Sequence, residues 1–268
     1  MSSEAEGRFH MVDVSSITSG PRRAMLLTDD GVRIEAVYEP CTTSVTDTAV
    51  VVAHGFTGSA DRPSVRRAAR ALGGRAAVVT FSFRGHGRSA GVSTVGDREV
   101  LDLSAAVRWA REMGHSRVVT LGFSMGGSVV LRHAALERGL TGAHTDAVAA
   151  VSAPARWYYR GTPSMRRVHW VITRPVGRLV GRYGLGTRID RRPWDPVPLS
   201  PVEAVPLIAP TPLLIVHGDR DPYFPVDHPR MLAAAGEAEL WLERGMGHAE
   251  NAADDELLGR LGDWLADG

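Results

Sequence analysis

The sequence predicts an α/β domain, a mostly parallel sheet covered by helices on both faces and interrupted by one helical insertion. Three observations predict it. Short apolar runs rich in β-branched residues recur along the chain, among them Ala49–Ala53, Ala76–Phe81 and Pro212–His217. Stretches with apolar residues at helical spacing stand between them, so strand and helix alternate. The alternation stops at Ala153-Pro154 and resumes at Pro212, and residues 155–205 between are rich in Arg, Pro, Trp and Tyr without a strand pattern. The 268 residues, 44% hydrophobic and 23% charged, suffice for one large core with an insertion.

Residues 1–20 read as a flexible tail of Ser, Thr and Glu. Arg23–Thr28 and Val32–Tyr38 flank Asp29-Asp30-Gly31, which predicts a β-hairpin. Ala49–Ala53 is apolar throughout, as a strand buried on both faces should be. Val65, Ala68, Ala69 and Leu72 recur at helical spacing with Arg66, Arg67 and Arg70 between them, so this helix covers the sheet with one face. Ala76–Phe81 is the next strand, and Val100, Leu103, Val107 and Ala110 mark the next helix. Val118–Leu121 and Ala147–Ser152 are further strands. After the insertion come a strand to Val216, a helix near Pro229–Ala235, a strand at Ala238–Glu243 and a last helix carrying Leu257, Leu258, Leu261, Trp264 and Leu265 on one face. The core is therefore residues 21–154 and 206–268, and residues 155–205 form an Arg-rich cap.

The most informative stretch joins the central strand to its helix. Gly122-Phe123-Ser124-Met125-Gly126 is a G-x-S-x-G pentapeptide between an apolar strand and the helical run Ser128–Ala135. Glycines two residues either side of a serine allow strand and helix to approach closely, and the turn holds the hydroxyl out over the sheet. The spacing is not that of a dinucleotide-binding glycine loop. A serine hydroxyl needs a base to take its proton, and the base needs an acid to orient it and stabilise its charged form. Beyond Ser124 the chain supplies both, in the order acid then histidine. His217-Gly218-Asp219-Arg220-Asp221-Pro222 follows a strand end, and Arg244-Gly245-Met246-Gly247-His248 precedes the final helix. Asp221 and Asp219 compete as the acid. Asp219, one residue past the strand, suits holding the turn through local backbone N–H groups, so Asp221 is preferred.

With those residues in view, the chain resembles the α/β-hydrolase superfamily, and within it serine esterases, lipases and thioesterases. The resemblance runs from about Arg22 to the end. It is carried by His54-Gly55-Phe56-Thr57-Gly58, Phe83-Arg84-Gly85-His86-Gly87-Arg88-Ser89, the serine turn, Gly218-Asp219-Arg220-Asp221 and Gly247-His248. It implies Ser124 as nucleophile, His248 as general base and acid, and an Asp after the seventh strand, matched by Asp221. It also implies an oxyanion hole from the backbone N–H groups of Phe56 and Met125. The expected function is hydrolysis of a small-molecule carboxylic ester or thioester through an acyl-enzyme, with no cofactor. Cofactor-free haloperoxidases or perhydrolases and acyltransferases of this fold use the same groups. A non-catalytic binding scaffold should have lost a member of the trio, and none is missing. Ser rather than Asp at the turn argues against the haloalkane dehalogenase and epoxide hydrolase branches.

The other polar residues have plainer readings. His54 and His86 are expected to hold loop geometry, His217 to be structural and His133 to pack within its helix. His10, His115 and His144 carry no reading. His217, Asp219, Asp221, Asp227 and His228 show no recognised metal-ligand spacing, and no metal is expected. One cysteine, Cys41, excludes an internal disulfide and a multi-cysteine zinc site. The start of the chain lacks an apolar segment behind a basic one, and no run is long enough to span a bilayer, so a cytoplasmic protein is expected.

All 31 basic residues are arginine, and the formal net charge is +1. Neither calls for a nucleic-acid partner, and none is expected. The charge is uneven, however. Residues 155–205 hold ten arginines against Asp190, Asp195 and Glu203, a net +7, while the remaining 21 arginines against 27 acids leave −6. On a helical wheel Val168, Ile172, Val176, Leu179, Val180 and Tyr183 share one face, with Arg167, Arg174, Arg178 and Arg182 opposite. Pro175, Gly177 and Gly181 predict a kink or two short helices. Two expectations follow. In one, the apolar face roofs the site and the arginines are solvated or pair with the acidic remainder. In the other, the arginines attract an anionic substrate, a carrier protein or a membrane surface, with Trp157, Trp170, Arg174, Arg178 and Arg182 as candidate binding residues.

Overall fold

The all-apolar runs become central strands because both of their faces are covered. In a computed structural model of the protein, residues 20–44, 46–139 and 142–267 are described, so the expected tail lies outside them but for Gly20. Eight strands form one sheet: β1 (Arg22–Leu27), β2 (Arg33–Glu39), β3 (Thr48–Ala53), β4 (Ala77–Phe81), β5 (Arg117–Phe123), β6 (Val148–Val151), β7 (Leu213–Gly218) and β8 (Glu239–Glu243). Their order is β1-β2-β4-β3-β5-β6-β7-β8. β2 pairs antiparallel with both β1 and β4, and every other pairing is parallel.

Alternate residues of each strand enter alternate cores, as the period of two requires. Ala49, Val51 and Ala53 of β3 join one cluster with Leu103, Val107, Val129 and Ile215. Val50 and Val52 join the other, with Val65, Leu72, Leu121 and Leu258. The first core lies under helices α2 (Glu99–Glu112) and α3 (Met125–Leu136), the second under α1 (Pro63–Leu72) and a last helix, Asp255–Asp267.

The insertion follows β6. It contains α4 (Pro163–Thr173) and α5 (Pro175–Gly184), and then α6 (Pro201–Ala204) leads back toward β7. Arg174 separates α4 from α5 in an extended conformation (φ −92°, ψ 140°), as a residue before proline favours. Thr162 caps α4, its hydroxyl accepting the Met165 N–H at 3.2 Å, and Arg178 donates to the Ile172 and Thr173 carbonyls at the other end. The two helices pack against each other, and one sequence expectation is corrected here. The expected apolar face roofs the site only through Val168 and Ile172 of α4, whereas Val176, Leu179, Val180 and Tyr183 of α5 face outward. Gly177 and Gly181 are the buried residues of that helix. A Cβ on Gly177 would stand 2.2 Å from the Trp170 carbonyl oxygen, so only the glycine face can lie this close to α4. The remaining helices are α7 (Asp227–Ala234), α8 (Ala249–Ala252) and the last one, α9. No helix among the described residues is long and apolar enough to cross a membrane.

Candidate active site

The parallel strands deliver the chemistry-bearing loops to one edge of the sheet, beyond their carboxyl ends. β5 ends at Phe123, α3 starts at Met125, and Ser124 between them is held at φ 53°, ψ −113°. That is a costly conformation for a residue with a Cβ. Its neighbours compel it. A Cβ on Gly122 would meet the Gly126 carbonyl oxygen at 2.2 Å, and one on Gly126 would meet that of Ala53 at 2.1 Å. The Ser124 N–H donates to Val151 on the adjoining strand at 2.8 Å, which anchors the turn.

Ser124 Oγ lies 2.8 Å from His248 Nε2, and His248 Nδ1 lies 2.6 Å from Asp221 Oδ2. With the Nδ1 proton facing the carboxylate, Nε2 is an acceptor for the serine hydroxyl. Asp221 is fully buried and its second oxygen accepts the N–H groups of Tyr223 (2.7 Å) and Phe224 (3.1 Å). Burial alone would raise its pKa. The hydrogen bond and charge of His248, with those two N–H groups, outweigh burial and hold the carboxyl below its usual range. The Tyr223 ring lies 4.3 Å, centroid to centroid, from the His248 ring, so the loop bearing the acid also packs the imidazole. Asp219 is elsewhere: it is exposed and accepts the Gly245 N–H at 2.6 Å, which holds the loop preceding His248.

His54 and His86 tie neighbouring loops together. The first bonds the Gly55 carbonyl (2.7 Å) and accepts the Phe83 N–H (3.1 Å). The second bonds the Arg84 carbonyl (3.0 Å) and accepts the Thr57 N–H (3.4 Å). Burial pushes the His54 ring down to about 3, so it remains neutral. His217 bonds the Phe224 carbonyl at 2.8 Å. His228 accepts the Ala155 N–H at 2.9 Å, and Asp227 pairs with Arg156. His115 meets the Tyr38 hydroxyl at 3.0 Å and His144 contacts Arg111. His10 lies outside the described residues. Among those described, no group of three or more His, Cys, Asp or Glu is placed to hold a metal ion.

Phe56 and Met125 stand beside Ser124 on the wall of a cavity of about 680 Å³. Met125 opens α3, where the first N–H groups have no acceptor within the helix. The insertion supplies much of the remaining wall, including Trp157, Tyr159, Val168, Ile172 and Trp194. The Trp157 and Trp194 rings pack at a tilt with centroids 5.1 Å apart, and Trp194 Nε1 donates to the Thr94 carbonyl at 2.7 Å, which fastens the insertion to the loop after β4. Of the sequence-predicted binding residues, Trp157 and Arg178 reach the cavity, whereas Trp170, Arg174 and Arg182 do not line it.

Two residues missed by sequence reasoning support the site. Glu250 is buried, lines the cavity and accepts the Gly55 N–H at 3.2 Å, bracing the loop that carries Phe56. Ser152, at φ 53°, accepts the Ala249 N–H at 3.0 Å directly after His248. The sequence signals were slight: Glu250 stands two residues beyond the histidine, and Ser152 ends a strand.

The model of the alpha/beta hydrolase family matches residues 50–259. Solved structures share the fold. An esterase from Pyrococcus furiosus superposes with a TM-score of 0.70 at 23% identity, covering 98% of this chain and 97% of that one. The esterase domain of a Rhodothermus marinus protein gives 0.63 at 21% identity, over 92% and 96%. A Xanthomonas campestris protein described as an α/β serine hydrolase without lid gives 0.61 at 19%, over 92% and 93%. At these identities the likeness is one of fold. No curated protein sequence matches.

Proposed function

The chain belongs to the alpha/beta hydrolase family, and from that premise we propose that it hydrolyses carboxylic esters of small molecules through an acyl-enzyme on Ser124. The observation that carries this reading is the unbroken chain from Ser124 Oγ through His248 to Asp221, at 2.8 and 2.6 Å. Solved structures alike in fold include two esterases, in keeping with the ester as substrate.

In this reading Ser124 Oγ attacks the ester carbonyl and its proton passes to His248 Nε2. Asp221, kept ionised, stabilises the imidazolium that results. The carbonyl oxygen takes the negative charge and is held by the N–H groups of Phe56 and Met125. Collapse of the tetrahedral intermediate breaks the bond to the leaving alkoxide, which takes the proton from His248. Water then repeats the sequence on the acyl-enzyme, His248 taking one proton and returning it to Ser124 as the acid departs. A thioester would follow the same path with a thiolate leaving. Residues 155–205 act as the cap, whose aromatic and aliphatic side chains receive the apolar acyl group.

The test is labelling by a fluorophosphonate and turnover of p-nitrophenyl esters of graded acyl length. Ser124→Ala is expected to lose labelling and to lower kcat roughly a million-fold. Labelling that survives in the variant, or turnover within tenfold of the parent, would overturn the assignment.

A further inference from the structure

The outer surface of α4 and α5 carries an apolar stripe that the candidate active site does not use. Val176, Leu179, Val180 and Tyr183 follow one another at i, i+3, i+4 and i+7, so they form a single stripe along α5. Their exposures are 61%, 56%, 43% and 76%, and Trp170 on α4 is 45% exposed. This is not the edge of a buried face, because α5 already has its packing face in Gly177 and Gly181. A contiguous apolar stripe left outside in this way marks an interaction surface. Beside it, Pro163, Arg166, Arg167, Trp170 and Val171 line a shallow groove on α4.

Charge selects the occupant. Of the ten arginines in residues 155–205, only Arg156 and Arg192 have a carboxylate within ion-pair distance among the described residues, and only Arg156 reaches one outside the insertion. Of the two expected states, pairing with the acidic remainder is therefore largely absent, and the exposed arginines stand in solvent. Arg182 lies over the Tyr183 ring, 5.4 Å from its centroid, so a guanidinium accompanies the most exposed aromatic side chain. A second copy of this chain, meeting the stripe about a two-fold axis, would bring the exposed Arg174 and Arg182 against their own kind. An anionic bilayer meets both features, with headgroups opposite the arginines and an acyl boundary for side chains that protrude singly.

We propose that the α4–α5 surface docks this protein on anionic phospholipid membranes, with Val176, Leu179, Val180, Tyr183 and Trp170 entering the interface and the exposed Arg166, Arg174 and Arg182 facing the headgroups. Because the inner side of α4 lines the cavity that contains Ser124, docking brings that cavity to the lipid surface.

The test uses the full chain and needs no turnover. Flotation with vesicles of phosphatidylcholine alone is compared with vesicles in which a third of the lipid is phosphatidylglycerol. The parent protein is expected to float with the anionic vesicles, at least tenfold more than with the neutral ones, and to be released by high salt. The triple variant Val176→Ser, Leu179→Ser and Tyr183→Ser is expected to lose at least tenfold in bound fraction, keeping its thermal midpoint and its hydrolysis of a small soluble ester. Those side chains stand in solvent, so the fold does not depend on them. A parent that ignores anionic vesicles overturns the proposal, including the case in which it binds only an acidic carrier protein. So does a variant that floats like the parent. Sedimentation showing a dimer of the parent that the triple variant abolishes would also overturn it, reassigning the stripe to contact between copies.

Discussion

His133 gives a test of the interior that does not depend on the reaction. It lies in α3, has no exposed surface, and neither ring nitrogen meets a hydrogen-bond partner among the described residues. Burial, with a smaller push from the Arg108 charge, drives its pKa from 6.5 down to about 3. The folded group thus binds a proton less readily than the unfolded one. Unfolding takes up a proton wherever the pH lies below about 6.5, and stability that is fully present above that value is lost as the pH falls toward about 3. Near pH 5 the unfolded imidazole is stabilised by about 1.5 pH units of protonation, which at 1.36 kcal/mol per unit is about 2 kcal/mol. His133→Leu removes the linkage while roughly keeping the volume. Urea unfolding at about pH 8 and about pH 5 gives the stability difference between variant and parent at each pH. That difference is expected to move by about 2 kcal/mol in favour of the variant on acidification, whatever its value at the higher pH. Comparing the two proteins cancels the contributions of other titrating groups such as His54 and His228. A difference that stays constant within about 0.5 kcal/mol would mean that His133 is hydrated or already charged in the folded state, and would refute the reasoning.

Three further outcomes are expected. Asp221→Asn should lower kcat by about ten-thousand-fold, because an amide cannot stabilise the imidazolium, while Asp219→Asn, at a carboxylate that accepts the Gly245 N–H, should cost less than tenfold; steady-state kinetics on one ester ranks them, and the reverse order would move the role to Asp219. Glu250→Ala should release the Gly55 N–H and lower kcat roughly tenfold with little change in KM, and Glu250→Gln should recover much of the loss; equal kcat in all three proteins would remove any positioning role. Gly177→Ala should cost about 2 kcal/mol locally, since the new methyl meets the Trp170 carbonyl oxygen, read as faster amide exchange across residues 163–184 with the central strands unchanged; unaltered exchange there would show that the helices separate without strain.

The parallel sheet was legible because burial on both faces leaves no room for polar alternation. Val50, Val51 and Val52 are adjacent in sequence and all are buried, two in one core and one in the other. Ser124, Asp221 and His248 were legible for a different reason: each sits in a short loop whose local pattern carries its own geometry, such as the glycines whose missing Cβ atoms let β5, α3 and β3 meet. Glu250 and Ser152 lacked such a pattern. Their partners, Gly55 and Ala249, are 195 and 97 residues away, and only the folded sheet brings them together. A side chain that works by touching a distant backbone N–H leaves almost no trace in its neighbours along the chain.

The orientation of α5 shows where periodicity stops being informative. A wheel identifies which residues share a face, but it does not say which face is inside. The usual inference takes the apolar face inward because its burial is favourable, at about 25 cal/mol per Å². In α5 two faces compete, the stripe from Val176 to Tyr183 and the seam of Gly177 and Gly181. The seam admits α4 closer than a side chain there would allow, since a Cβ on Gly177 would stand 2.2 Å from the Trp170 carbonyl oxygen. The one-residue break also leaves little freedom to turn the helix over, since Arg174-Pro175 sets its direction and Arg178 ties it back to the end of α4. With close packing satisfied on the glycine side, the apolar residues have no interior left to enter. The same choice carries Arg182 outward with them, where no carboxylate of the described chain neutralises it. A stripe of four exposed apolar side chains costs an isolated molecule hydration free energy in water, and the proposed contact with an apolar, anionic surface would relieve that cost while leaving the exposed guanidinium groups facing opposite charge.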